Sequence, residues 1–272
     1  MPETKTIDSS ERPFQILTAR GEIFTSHIVH ATNSHASHLV PGFSGKLFSI
    51  RGQVSAQRPG KKFPRLDGSR SWSFVQKKGF DYVVQIQGKH SQNAEYGGEL
   101  VTGGGLFQSS MGMDEFGLTS DDKTDPIIGA YLGGILPTVF GTENWGEDAP
   151  RGKMENMWTG TLGYTADMQP MVGKLDQNLT GRSLKSHASS GKEHSGPGPA
   201  EWVSAGYNGE GTVHAWLCGV AVGLMVLGRD EIERSNESGI PEGKVEDWLP
   251  REFRCSAERV SKANVYTLLA LM

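Results

Sequence analysis

The chain holds only two cysteines, Cys218 inside an apolar run and Cys255 near the C-terminus. A disulfide framework or a CxxC metal or redox site is therefore excluded, and both residues read as reduced structural thiols. No apolar run opens the chain. Residues 1–30 are polar, starting Pro2, Glu3, Thr4 and Lys5, so no signal peptide is read and the cytoplasm is the expected compartment. The ending Ala270-Leu271-Met272 is not a Ser-Lys-Leu-type peroxisomal address, which agrees. The sequons Asn178-Leu179-Thr180 and Asn236-Glu237-Ser238 then count as chance matches. Neither sign of charge dominates: 27 basic against 31 acidic residues leave a net charge of −4. That balance gives no electrostatic footprint for nucleic acid or an anionic membrane, and points to a small-molecule partner. No GxGxxG occurs anywhere in the chain.

Glycine is abundant instead. The 36 glycines cluster without a period, which argues for tight turns and close backbone approaches and against a repeat protein. With 36% hydrophobic residues, six Trp and eleven Phe, 272 residues can bury a sizeable core as one large or two modest domains.

Hydrophobic periodicity orders the chain. Residues 14–19 and 22–32 read as a hairpin turning at Arg20-Gly21, burying Ile16, Ile23, Ile28 and Val29. A short helix over 34–39, capped by Asn33 or Ser34, is stopped by Pro41. Residues 47–57 alternate as a strand, and 72–76, 80–87 and 99–103 read as an antiparallel meander. A helix over 126–140 is expected to break at Gly133-Gly134 and end near Pro137. Strands follow at 154–161 and 171–175, then a Ser-, Gly-, His- and Pro-rich stretch, 177–200, read as a mobile loop. The tail, 242–259, holds another short helix ahead of the Trp248-Leu249-Pro250 stop.

Residues 201–228 form the most informative constellation: a strand, the turn Gly206-Tyr207-Asn208-Gly209-Glu210-Gly211-Thr212, then an apolar helix over 213–227. A helix start carries unpaired N–H groups and partial positive charge. Glycines at 206, 209 and 211 leave the backbone open to a flat ligand, although a plain tight turn would look the same. The helix is apolar nearly all round, so burial is expected; with about 15 residues and His214 inside, it falls short of the ~20 of a membrane span.

Several such pieces recur in order: Ala31-Thr32-Asn33 closing a strand, Ser49-Ile50-Arg51-Gly52-Gln53, Gly103-Gly104-Gly105, Trp158-Thr159-Gly160 with Asp167 and Pro170-Met171-Val172-Gly173, then Ala205 to Gly211. Their order, over roughly residues 16–260, resembles the D-amino-acid-oxidase-like family of FAD-dependent oxidoreductases. The resemblance implies an α/β (α+β) fold: an incomplete Rossmann-like FAD-binding domain, 1–46 with 201–272, joined to a mostly antiparallel substrate-binding sheet, 47–176. The family's GxGxxG segment, which holds the cofactor pyrophosphate, has no counterpart, so the chain resembles the C-terminal part of such an enzyme. By resemblance, Ala31, Thr32 and Asn33 lie near the FAD phosphates. Gly206, Tyr207, Asn208, Gly209, Glu210, Gly211 and Thr212 face the pyrimidine edge of the flavin.

The implied chemistry is hydride transfer from a C–H next to the nitrogen of an amine or amino acid to flavin, with hydrolysis of the imine and reoxidation by molecular oxygen. The protein orients and excludes water, so no catalytic acid–base residue is named. No metal is implied. Substrate contacts would come from the central sheet, with Arg51, Gln53 and Trp158 as candidates; a guanidinium can hold a carboxylate with two prongs. The plain alternatives are a strand-end arginine and ordinary core packing of the Trp. Two departures stand out. Glu210 replaces the His many relatives carry, putting a carboxylate beside the ring, and no cysteine sits on the 154–161 strand, so attachment would be non-covalent. The other readings are a truncated remnant that does not hold FAD by itself, and a sheet-based binding protein.

Overall fold

The computed structural model describes residues 3–7, 9, 11–77, 79–88, 97–184, 196–235 and 239–271. In chain order the strands are β1 (Glu3–Thr6), β2 (Phe14–Thr18), β3 (Gly21–Thr25), β4 (His27–His30), β5 (Leu47–Gln57), β6 (Ser71–Val75), β7 (Phe80–Gln85), β8 (Leu100–Gly104), β9 (Met154–Thr165), β10 (Met171–Lys174) and β11 (Ala200–Ala205). The helices are α1 (Ala36–Leu39), α2 (Pro126–Phe140), α3 (Thr142–Trp145), α4 (Gln177–Thr180), α5 (Gly211–Val226), α6 (Val245–Trp248), α7 (Ala257–Lys262) and α8 (Val265–Leu271). The result is a mixed α/β fold in two units, Met1–Ser49 with Leu162–Leu271, and Ile50–Thr161. The loop expected at 177–200 begins instead with the helical turn α4, while 185–195, like the sequon at 236–238, lie outside the described residues.

The first unit is built on a mixed sheet ordered β10-β11-β4, with β10 antiparallel and β4 parallel to β11. Strand alternation sends successive β11 residues to opposite faces. Val203 and Ala205 join Ala36, Val40, Phe43 and Val260 in one cluster, while Ala200 and Trp202 join Cys218, Ala221 and Val222 of α5 in another. Both faces are thus covered, as a sheet with parallel pairing requires. A separate antiparallel sheet, β1-β2-β3, holds the expected hairpin in register, Ile16 opposite Ile23.

Three expectations are corrected here. The run 22–32 splits at Ser26: β3 stays in the hairpin and β4 crosses to β11, so residues read as one strand serve two sheets. Ile23 and Val29 are consequently 53% and 47% exposed, the first on a small three-stranded sheet and the second on an edge strand. α5 is not buried all round; Cys218, Ala221, Val222 and Leu224 are buried, while Val213 and Trp216, and Leu227 just past its end, are exposed. No described helix is long and apolar enough to cross a membrane.

The second unit carries the sheet β6-β7-β8-β5-β9, antiparallel in every pairing from β6 through to β5. One face is covered by α2: the Gln57 Nε2 donates to Leu132 O at 2.8 Å, and Leu136 packs with Val83, Leu100, Phe63 and Trp145. The ring of Phe140 stands edge-on to Phe63, 4.9 Å between centroids. The expected break in α2 does not occur. Its 15 residues run through Gly133, Gly134 and Pro137, held at the start by Asp125, whose carboxylate accepts the Ile127 and Ile128 N–H groups at 2.7 and 3.4 Å. Packing of Leu132 and Leu136 outweighs the local breakers.

Candidate functional site

The turn between β11 and α5 is assembled from three segments of the first unit. Its backbone is left-handed at Gly206, Asn208 and Gly209, with φ of 76°, 54° and 87°. At Gly206 only glycine fits, since a Cβ there would lie 2.4 Å from a Thr165 methyl. Asn33 is the first brace. It does not cap α1, whose start has no side-chain cap; its Oδ1 instead accepts the Gly206 N–H at 2.9 Å and the Tyr207 N–H at 3.5 Å. The missing side chain of Gly163 makes room for it.

Asn208 is the second brace, hydrogen-bonded on every side. Its N–H donates to Gly163 O at 2.8 Å, its Nδ2 to Gly206 O at 3.0 Å, and its Oδ1 accepts from the Thr165 N–H at 2.8 Å and hydroxyl at 3.2 Å. Tyr207 turns inward, its hydroxyl 2.7 Å from Ser204 Oγ and its ring in the α5 core, where burial raises its pKa.

What remains outside is the head of α5. Val213 and His214 both donate to Glu210 O, and no side chain caps this end. Among the described residues, the N–H groups of Gly209, Gly211 and Thr212 have no protein acceptor. These donors and the helix's partial positive charge form a small electropositive face with no Cβ at 209 or 211. Glu210 stands exposed beside it and offsets part of that charge.

β4 leads into Ala31-Thr32-Asn33 through a buried charge network. Glu201 of β11 accepts Arg182 Nε and Nη2 at 2.7 Å each and meets His30 Nε2 at 2.8 Å, and Arg182 also donates to Leu39 O. Burial pushes the Glu201 carboxyl up, but the bonds from Arg182 and His30 outweigh it, leaving the pKa lowered. Ala31 and Thr32 themselves are exposed. Asp167 is held two-pronged by Arg259 at 2.8 and 3.1 Å. Arg259 spends its other donors on the carbonyls of Pro170, Gln169 and Arg254, so the cleft of about 400 Å³ beside them, lined by Ser256, Asn264 and Thr267, gains no free guanidinium.

In the second unit the substrate candidates are differently engaged. Arg51 grips Glu115 with Nε at 2.7 Å and Nη2 at 3.0 Å, so its fork is already filled by a carboxylate of its own chain. Gln53 is buried, its Oε1 accepting the Asp125 N–H at 2.7 Å. Trp158 is 41% exposed on β9. Asp125 is driven the other way from burial: hydrogen bonds from Ser110, Ile127 and Ser109 overcome desolvation and lower its pKa to about 2. Sequence reasoning missed His30, Arg182, Gly163 and Arg259, whose carboxylate and turn partners lie 19 or more residues away along the chain; of the carboxylates, only Asp167, the partner of Arg259, stands out in the sequence.

No family model and no curated protein matches the chain. Among solved structures, it is similar to iminodiacetate oxidase from Chelativorans sp. BNC1, at 13% identity and a TM-score of 0.51 over 90% of this chain and 53% of that one. It is also similar to L-proline dehydrogenase from P.horikoshii, at 17% identity and 0.49 over 97% and 55%, and to glycine oxidase from Geobacillus kaustophilus, at 15% identity and 0.49 over 83% and 48%. At 13% identity, the likeness to iminodiacetate oxidase shows a shared fold alone. The chain spans about half the length of these structures.

Proposed function

We propose that this chain carries the flavin-ring-facing part of an FAD-dependent oxidoreductase that oxidises a C–N bond of an amine or amino acid. The observation that carries the reading is the α5 head: N–H groups at Gly209, Gly211 and Thr212 without acceptors among the described residues, in a turn locked by Asn33 and Asn208. Such a head fits one polar edge of a flat ring that gains negative charge on reduction. The fold shared with iminodiacetate oxidase supports the reading, and that protein's named substrate is an amine bearing carboxylates.

In this reading the FAD would be held non-covalently. Gly209, Gly211 and Thr212 would meet the ring, Ala31 and Thr32 would lie toward the phosphates, and Asn33 would act through the turn rather than on the ligand. Bound FAD would supply the hydride acceptor. The chain's own residues orient the ring edge and keep donors aimed at it without reorganisation.

A second reading, a fold that does not hold FAD by itself, is favoured by the exposed Glu210 carboxylate beside the α5 head. FAD titration of the purified chain, followed by flavin absorption, separates the two. Gly211→Val is the informative variant: a Cβ there meets only Tyr207 Cβ at 3.9 Å, whereas at Gly209 the left-handed backbone itself would be strained. The expected result is saturable binding by the native chain, weakened about tenfold or more in Gly211→Val with an unchanged thermal melt. Equal binding by both would remove the turn from the site, and no binding by either would leave the second reading.

A further inference from the structure

α5 departs from what a surface helix shows. Its 16 residues contain no Asp, Glu, Lys or Arg, yet its outer side is exposed, with Val213 and Trp216 at 65% and 69% and Leu227, just past its end, at 58%; on this side the Trp216 indole N–H reaches Gly239 O at 3.2 Å. An exposed helix face is ordinarily polar, and an uncharged one marks a surface awaiting a partner. The same side is notched: added Cβ atoms at Gly219 or Gly223 would meet nothing within 4 Å.

We propose that a second copy of this chain covers α5, the two helices crossing antiparallel about a two-fold axis between Gly219 and Val220. The choice of occupant follows from the charges at the two ends. With the axis there, Glu210 at the head of one helix stands level with the second copy's Arg229 just beyond the tail, both residues exposed. The same axis sets Trp216 of each copy against the notch at Gly223 of the other, and Thr212 against Leu227. Opposed helix dipoles and two reciprocal Glu–Arg pairs favour this orientation, and glycine notches let the backbones approach.

The pairing also changes the candidate site. A guanidinium arriving beside Glu210 neutralises the carboxylate that otherwise offsets the electropositive head of α5. This use of Arg229 rests on the flavin reading; the dimer does not. A strip roughly 24 Å long and 10 Å wide is smaller than the ~800 Å² per partner of a standard interface, so the association is weak and concentration-dependent.

Sedimentation equilibrium of the full chain across the micromolar range tests it. The expected result is a monomer–dimer equilibrium, weakened about tenfold or more by Glu210→Arg or by Arg229→Glu and restored when both are combined. Gly223→Leu, which fills the notch, abolishes association while the circular dichroism spectrum stays native. A monomer at every concentration, singles that associate like the native chain, or a double reversal no better than the singles would each overturn the proposal. Flavin absorption plays no part in this readout, so dimer and flavin site fail independently.

Discussion

Asn33 and Asn208 both sit in the left-handed region, at φ of 46° and 54°, where asparagine is tolerated better than most side chains. Each uses its amide to tie the glycine turn rather than to cap a helix. Asn33→Ala removes the acceptor for Gly206 and should cost about 1–3 kcal/mol in urea unfolding, while Asn33→Asp, which keeps an acceptor, should cost less. Asp125 supplies a pH signature. Its folded pKa of about 2 lies below the ~3.9 of an unfolded chain, so its contribution is complete above that value and is lost as pH falls from about 4 towards 2. Acid unfolding of Asp125→Asn should lack this component; an identical acid limb in both proteins would show that the carboxylate is not the cause. Cys218 and Cys255 are pushed up by burial, to about 11 and 12, and thiol reagents should modify neither quickly at neutral pH.

Helix α2 keeps its course past Pro137, which has no N–H to offer the carbonyl of Gly133. Pro137→Ala should therefore raise stability by about 1–2 kcal/mol, seen as a higher urea midpoint; an unchanged midpoint would show that the missing bond costs the helix nothing. The element scale also shows what was legible in the residues. Alternation marked β5 through its whole length and the β6–β8 meander within a residue or two, because each buries one face against α2 or its neighbours. The glycine turn and the helix after it were legible from spacing. The split of β3 from β4 was not, since a change of sheet partner leaves no mark on a continuous β-rich run. Equally hidden were Arg182 with Glu201 and Arg259 with Asp167, pairs that depend on the folded path. Arg51 shows the limit most directly: its residue type promised a carboxylate partner, and the partner proved to be Glu115.

Across the whole molecule, a sequence pI near 6.1 combines with apolar groups left at the surface, among them Val75, Tyr266 and Trp216. Charge repulsion is weakest near that pH, so light scattering from the purified chain should peak close to pH 6 and fall on moving to pH 8; a flat profile would mean the exposed groups do not drive association. The turn that organises the candidate site carries a further liability. Asn208 is followed by Gly209, an unshielded neighbour whose amide nitrogen can attack the asparagine side chain and expel ammonia. The bonds from Asn208 to Thr165, Gly163 and Gly206 oppose that attack while the fold is intact. Deamidation at this position, followed by peptide mass spectrometry of stored protein, would then report the age of the molecule and how often the turn comes undone.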